Sequence, residues 1–281
     1  MTRRRAPFAP RVSIVTGGAA GIGLAIAREL RARGSHVVLA DLDLEAAERA
    51  AADLGGPDGA SAALVDVRDA DAVRALVADV VARHGRLDVM VNNAGVLFSG
   101  PVEETTDRHW DTALAINVRG VVVGARAAYD VMRRQPGGGR ILNLAPLAGL
   151  MPAPWMTPYT TSKWAVVGFS RTLAAEAAGE GVHVTVACPG YVDTTLLDSV
   201  VDPTASVRPG GFRDSATGLQ RRLLTPDEVA AAAVGGLADG RRVVVIGWFA
   251  QLMSRANRFA PLAMDLGVRR EAARQRRAAR R

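Results

Sequence analysis

Tyr159 and Lys163 are the residues of this sequence whose types and spacing speak most directly of chemistry. Four positions apart on a helix, they share one face. A free phenol ionises near ~10, too high for a base at neutral pH, but a neighbouring ammonium favours the phenolate and lowers that value. Lys163 is also the only lysine in the chain: of 35 Lys and Arg residues, all the others are Arg. Arg is a planar, permanently charged fork, whereas Lys is a compact ammonium on a flexible stem that can tune a neighbour. Tyr159-x-x-x-Lys163 is therefore a candidate proton-transfer pair, with chance survival of one lysine codon as the bland alternative. The rest of the chain decides between them.

A second chemical signal lies near the start. Thr16-Gly17-Gly18-Ala19-Ala20-Gly21-Ile22-Gly23 follows a β-branched run, Val12–Thr16, and opens a helically spaced segment, Ile22–Arg33. Glycines let the backbone turn tightly and approach a pyrophosphate, and the helix presents free N–H groups and its positive dipole end. Asp41 closes the next apolar run, 18 residues after Gly23. A carboxylate there accepts hydrogen bonds from both ribose hydroxyls and repels a 2′-phosphate. No Arg adjoins Asp41, so NAD is expected over NADP. A helix N-cap is the structural alternative for Asp41 or Asp43, but it does not explain the whole pattern.

The elements that position these residues alternate. Strands are expected at 12–16, 37–40, 61–65, 87–91, 139–144, 182–187 and 242–246. Helices are expected at 22–33, 43–54, 69–84, 106–134 and 159–178, with a further start at Thr225-Pro226-Asp227-Glu228, where Thr caps, Pro takes the first position and Glu follows three after the cap. Apolar strands alternating with helices predict an α/β fold: a Rossmann-type doubly wound parallel β-sheet with helices on both faces, in a single domain. That domain is expected over 11–248. A basic tail (1–10) precedes it, a lid over the substrate is expected at 198–224, and an amphipathic, Arg-rich extension (249–281) follows.

Thr-Gly-x-x-x-Gly-Ile-Gly at 16–23, Asn92-Asn93-Ala94-Gly95, Tyr159-x-x-x-Lys163 and Pro189-Gly190, in this order, resemble the short-chain dehydrogenase/reductase family. The likeness runs from about Arg11 to Ile246. It implies an oxidoreductase that interconverts an alcohol and a ketone by hydride transfer with NAD or NADP. It also implies a nucleotide site at Gly17, Ala20, Gly21, Ile22, Gly23, Asp41 and Leu42, with Asp66-Val67 at the adenine and Asn93, Ala94 and Gly95 lining the cleft. Tyr159 and Lys163 hold the nicotinamide ribose, and Pro189, Gly190, Val192 and Thr194 pack on the nicotinamide. Tyr159 is then the acid/base, Lys163 its tuner, and Asn117 the helix residue supporting a water relay to the lysine. A homodimer or homotetramer through the long helices is part of the same implication.

One member of the expected catalytic set is absent. The family places a serine thirteen positions before the tyrosine, and here that position is Pro146, preceded by Ala145. Proline has neither a hydroxyl nor an N–H to donate. Losing one such donor costs about 10²–10³ in rate. Either another donor acts (Thr157, Thr160, Ser99 or a water), or the protein binds NAD(H) with little turnover as a sensor or scaffold, or its substrate needs less help. Apolar residues, including Leu97, Met151, Met156, Leu196 and Leu197, are expected to surround the substrate, with Pro146, Trp155, Tyr159 and Tyr191 in contact with it. The substrate expected is a small hydrophobic secondary alcohol or ketone. No Arg stands beside these residues to clamp a carboxylate, although Arg208 or Arg213 of the lid could reach one.

Composition narrows the alternatives. The 281 residues are 49% hydrophobic and only 5% aromatic, with one cysteine, Cys188. This excludes an internal disulfide framework and fits a reducing, cytoplasmic setting. No His/Cys cluster has metal-ligand spacing, and no metal is expected. The net charge of +7 resides in the ends: residues 268–281 alone hold seven Arg and one Glu. The body is slightly acidic, which argues against nucleic acid as a partner. Phe249, Leu252, Met253, Phe259 and Leu262 have helical spacing with Arg255 and Arg258 between them. Such a segment either packs on its own subunit or makes peripheral contact with a membrane surface.

Overall fold

The computed structural model describes residues 8–198, 211–220 and 222–279. The basic tail before Phe8 lies outside these residues, as do residues 199–210 and 221 of the loop expected to form the lid, Arg208 among them.

Seven strands form one parallel sheet in the order β3-β2-β1-β4-β5-β6-β7: β1 (Val12–Thr16), β2 (His36–Asp41), β3 (Ala60–Leu64), β4 (Val89–Asn92), β5 (Gly139–Leu144), β6 (Val182–Pro189) and β7 (Val243–Ile246). The order reverses between β1 and β4, which opens a crevice at their carboxyl ends. The strands read as unbroken apolar runs because both faces are covered. Val15, Val37, Leu39, Val91 and Leu142 point into one core layer, while their neighbours Ile14, Val38, Met90 and Ile141 point into the other.

The first layer is closed by α1 (Gly21–Ala32), α2 (Leu44–Asp53) and α8 (Pro226–Ala238), and the second by α3 (Ala70–His84), α5 (Val121–Met132) and α6 (Thr157–Glu176). Their starts follow ordinary capping chemistry. Asp43 accepts from Ala46 N at 2.9 Å, Asp69 caps α3, and Thr225 and Glu228 form the reciprocal box expected at α8. The long helix expected over 106–134 is not uniform: α4 (Asp107–Leu114) passes through one π-helical segment, Ala115–Gly120, before α5 begins. Such a bulge widens a turn and often marks a functional site.

Beyond β6, the described part of the lid region contains α7 (Gly211–Leu219). The C-terminal extension forms α9 (Trp248–Phe259) and α10 (Pro261–Ala279). Buried Ala250 and Asn257, whose Nδ2 donates to Leu150 O at 3.0 Å, fasten α9 to the domain. No helix among the described residues is long and apolar enough to cross a membrane.

Candidate active site

The β1–α1 turn is held by backbone geometry. Gly17 and Gly21 adopt φ of +62° and +53°, where a side chain is strained. A Cβ on Gly23 would lie 2.0 Å from Gly17 O. Asn93 fixes the turn from β4: its Nδ2 donates to Thr16 O at 3.1 Å and Gly17 O at 2.9 Å. The turn delivers the start of α1 without a side-chain cap and without an acidic residue in the first turn, unlike α2, α3, α4 and α8. A helix start with open N–H groups behind a glycine turn suits a bound phosphate. The residues present therefore fit a dinucleotide.

Asp41 lies at the end of β2, where its Oδ2 accepts from Ala19 N at 3.0 Å and its Oδ1 from Asp43 N at 3.2 Å. The carboxylate thus faces the glycine turn, and the adjoining Leu42 side chain is exposed. Asp66 is engaged elsewhere: Arg68 Nε and Nη2 each donate to its Oδ2, at 2.8 and 2.6 Å. That guanidinium holds the carboxyl below its ordinary range. Val67 packs against Gly120 in the π segment. Thr194 rests on the turn from the other side, with Cγ2 3.4 Å from where a Cβ on Gly21 would be. Pro189 ends β6, and Val192 is buried and bridged to Leu224.

Tyr159 and Lys163 sit in the first half of α6, both buried. The ammonium lies 5.5 Å from the centre of the Tyr159 ring and donates to Leu144 O at 3.3 Å. Burial pushes the Tyr159 phenol upward and the Lys163 ammonium down to about 8. Asn117, in the π segment, is fully buried. Its Oδ1 accepts from Val96 N, and its Nδ2 donates to Val96 O and to Ser162 Oγ, at 2.9, 2.9 and 3.0 Å. Ser162 in turn donates to Tyr159 O at 2.7 Å. A Cβ on Gly95 would meet Asn117 Oδ1 at 3.1 Å and Lys163 Nζ at 3.3 Å, so the Ala94-Gly95 backbone passes directly over the pair.

Tyr159 opens onto a cavity of about 320 Å³. Its wall includes Ile22 from the glycine turn, Pro146, Gly190, Tyr191, Val192 and Thr194, with Leu97, Met151, Met156, Leu196 and Leu197. The glycine turn, the expected catalytic tyrosine and the proline in the serine position thus meet at one space. Trp155, expected at the substrate, is not on this wall. It takes φ of +68°, and its carbonyl accepts from Gly100 N at 2.7 Å. Non-glycine residues rarely adopt that conformation. Thr160, one of the substitute donors considered, turns its hydroxyl to Ala153 O at 3.4 Å, and neither Ser99 nor Thr157 is on the wall. Arg213 pairs with Asp193 and with Asp198, so its charge is matched within the protein and does not stand ready for a carboxylate substrate.

Several contributors were not foreseen. Ser162 ties Asn117 to the Tyr159 backbone, and its position between the two motif residues was the available signal. Gln220 is buried: its Nε2 donates to Tyr191 O at 2.9 Å and its Oε1 accepts from Tyr191 N at 3.1 Å, which clamps the backbone behind that ring. Phe249, Met253, Met264, Val268 and Glu271 bring α9 and α10 into the wall. Glu271 is the one charged residue among the described lining side chains.

Sequence comparison agrees with this geometry. The family described as short chain dehydrogenase matches residues 11–204. The chain is 39% identical over 237 residues to the D-threitol dehydrogenase of Mycolicibacterium smegmatis, covering 83% of this chain and 88% of that protein. It is also 39% identical over 197 residues to the NAD(+)-dependent 15-hydroxyprostaglandin dehydrogenase of Homo sapiens, covering 68% and 71%. A short-chain dehydrogenase/reductase from Burkholderia phymatum, solved in complex with NAD, superimposes with a TM-score of 0.79 at 27% identity, covering 90% of this chain and 94% of that one. A seven-stranded parallel sheet with its crevice over a glycine turn and a Tyr-x-x-x-Lys helix is the arrangement of a Rossmann-type oxidoreductase. The chain belongs to the short-chain dehydrogenase/reductase family.

Proposed function

We propose that this protein is an NAD-dependent oxidoreductase that interconverts a hydrophobic secondary alcohol and its ketone. The observation that carries the reading is the shared cavity: Tyr159 and Ile22 of the glycine turn line one largely apolar space. The bound dinucleotide supplies the hydride acceptor in one direction and the donor in the other. Tyr159 takes the hydroxyl proton during oxidation and returns it during reduction. Lys163, 5.5 Å from the Tyr159 ring centre, places positive charge beside the phenol, which favours its ionised form. Asn117 fixes Val96 and Ser162 around that pair. Asp41, facing the turn, favours NAD over NADP.

The wall selects for an apolar body. Polar side chains on it besides Tyr159 are Tyr191, Thr194 and Glu271. Tyr191 packs in the same apolar cluster as Tyr159 and is our substitute for the missing serine as partner of the substrate oxygen. A homodimer or homotetramer of the kind the family forms is the expected assembly.

Pro146 supports a second reading, in which the chain binds NAD(H) and turns over weakly as a sensor. The deciding experiment measures NAD⁺-dependent oxidation of hydrophobic secondary alcohols by native protein and Pro146→Ser, with NADP⁺ as control. We expect native turnover, raised by Pro146→Ser by up to about 10²-fold. Activity confined to Pro146→Ser, with both proteins binding NADH, would establish the sensor.

A further inference from the structure

The two C-terminal helices have opposed faces. Met253 of α9 and Met264, Val268 and Glu271 of α10 look into the cavity. The other side of α9 carries Trp248, Leu252 and Phe259, 66, 51 and 79% exposed, at spacings that place them along one stripe. Leu262 and Leu266 continue it on α10 at 79 and 56%. Five large apolar side chains in sequence-adjacent helices are more than the scattered exposure of an ordinary surface. The stripe then gives way to charge: Arg255, Arg258, Arg269, Arg270, Arg274, Arg276 and Arg277 are all exposed.

We infer that α9 and α10 dock this protein on an anionic lipid bilayer. Charge complementarity selects this occupant over a second copy of the chain. A two-fold contact through this face would bring two strongly basic segments together, whereas an anionic bilayer supplies an apolar interior for Trp248, Leu252, Phe259, Leu262 and Leu266 and headgroup charge for the arginines. For an amphipathic helix, buried apolar area and attraction to anionic lipid together set the strength of membrane binding. Because the inward faces of the same helices wall the cavity, docking sets the cavity beside the membrane and gives an apolar alcohol a route that avoids water. That last step rests on the proposed oxidoreductase reading, but the docking does not.

The test is flotation of the full-length protein with vesicles of phosphatidylcholine alone and of phosphatidylcholine with phosphatidylglycerol, without any turnover readout. Native protein is expected to float with the anionic vesicles only, and to be released by high salt. Leu262→Ser with Leu266→Ser should lower partitioning roughly tenfold or more. Arg269→Glu, Arg270→Glu and Arg274→Glu together should lower it comparably through a different term. Native protein that stays in the soluble fraction with both vesicle types would overturn the inference, as would equal flotation of native and serine-substituted protein. A fall in sedimentation mass on the serine substitutions would overturn it too, by showing that a second copy covers the stripe.

Discussion

On the nucleotide side of the cleft, the shape is set by backbone: Gly17 and Gly21 at positive φ, Gly23 with no space for a Cβ, and Asn93 pinning two carbonyls of the turn. On the substrate side it is set by side chains from segments far apart in sequence: Leu97, Pro146, Met156, Tyr191, Met253 and Val268. The difference concerns tolerance. A backbone cradle favours glycine at each critical position, because an added carbon strains the positive φ of Gly17 and Gly21 and collides at Gly23. An apolar wall accepts many side chains of similar volume. The departure from the family pattern, Pro146, accordingly falls on the substrate side, where a hydroxyl can be lost without disturbing β5 or the turn. Tyr159 and Lys163 stand where the two sides meet.

The largest effect separates chemistry from binding. Tyr159→Phe removes the proton carrier and leaves the ring in its apolar cluster, so kcat should fall by about 10³-fold while NADH affinity, read by fluorescence titration, changes little. Gly23→Ala should do the reverse and abolish nucleotide binding through collision with the Gly17 carbonyl. If Tyr159→Phe lost NADH binding instead, the division between the two sides would fail.

A smaller effect lies at their junction. Burial holds the Lys163 ammonium at about 8, below its ordinary value of 10.5. The folded protein therefore disfavours the proton, and this cost is fully present below pH 8. Between about 8 and 10 the unfolded chain binds more protons than the folded one, so stability of the nucleotide-free protein rises with pH. Above that range Tyr159, pushed upward, reverses the trend. Lys163→Met lacks the buried charge and should be more stable than native at pH 7, by up to about 3 kcal/mol, while losing activity. Urea unfolding at pH 7 and 9.5 should show that margin shrinking. A margin independent of pH would mean that the ammonium carries no such cost.

The same contrast explains what could be read from the chain. Strand runs and helix starts were legible because a covered parallel sheet demands unbroken apolar strands and Asp43, Asp69 and Thr225 announce their caps. The turn at 16–23 was legible because only glycine satisfies its geometry. The π segment around Asn117 was not, since one widened turn leaves the 3.6-residue periodicity almost intact. The roles of Gln220, Met264, Val268 and Glu271 were hidden for a different reason. They reach the cavity only through the path taken by α7, α9 and α10, which no local pattern encodes. Trp155 looked like a substrate contact from its place near Tyr159, but its left-handed backbone goes with a position off the cavity wall.

The smallest predicted effect tests whether a side chain on the nucleotide side does more than hold the turn. Asp41 accepts from Ala19 N and Asp43 N, so part of its role is structural. A purely structural carboxylate would weaken NAD⁺ and NADP⁺ alike when removed, through a loosened turn. A carboxylate that also faces the ribose discriminates, because its charge rewards two hydroxyls and repels a phosphate. Asp41→Asn keeps an oxygen acceptor for one of the two backbone N–H groups and removes the charge. We expect it to weaken NAD⁺ about tenfold, the value of one charge-assisted hydrogen bond, to improve NADP⁺, and to lower the melting temperature slightly through the one backbone hydrogen bond it loses. The ratio of the two affinities, measured by calorimetry, is the discriminating quantity. An unchanged ratio would reduce Asp41 to a turn residue and remove the basis for preferring NAD.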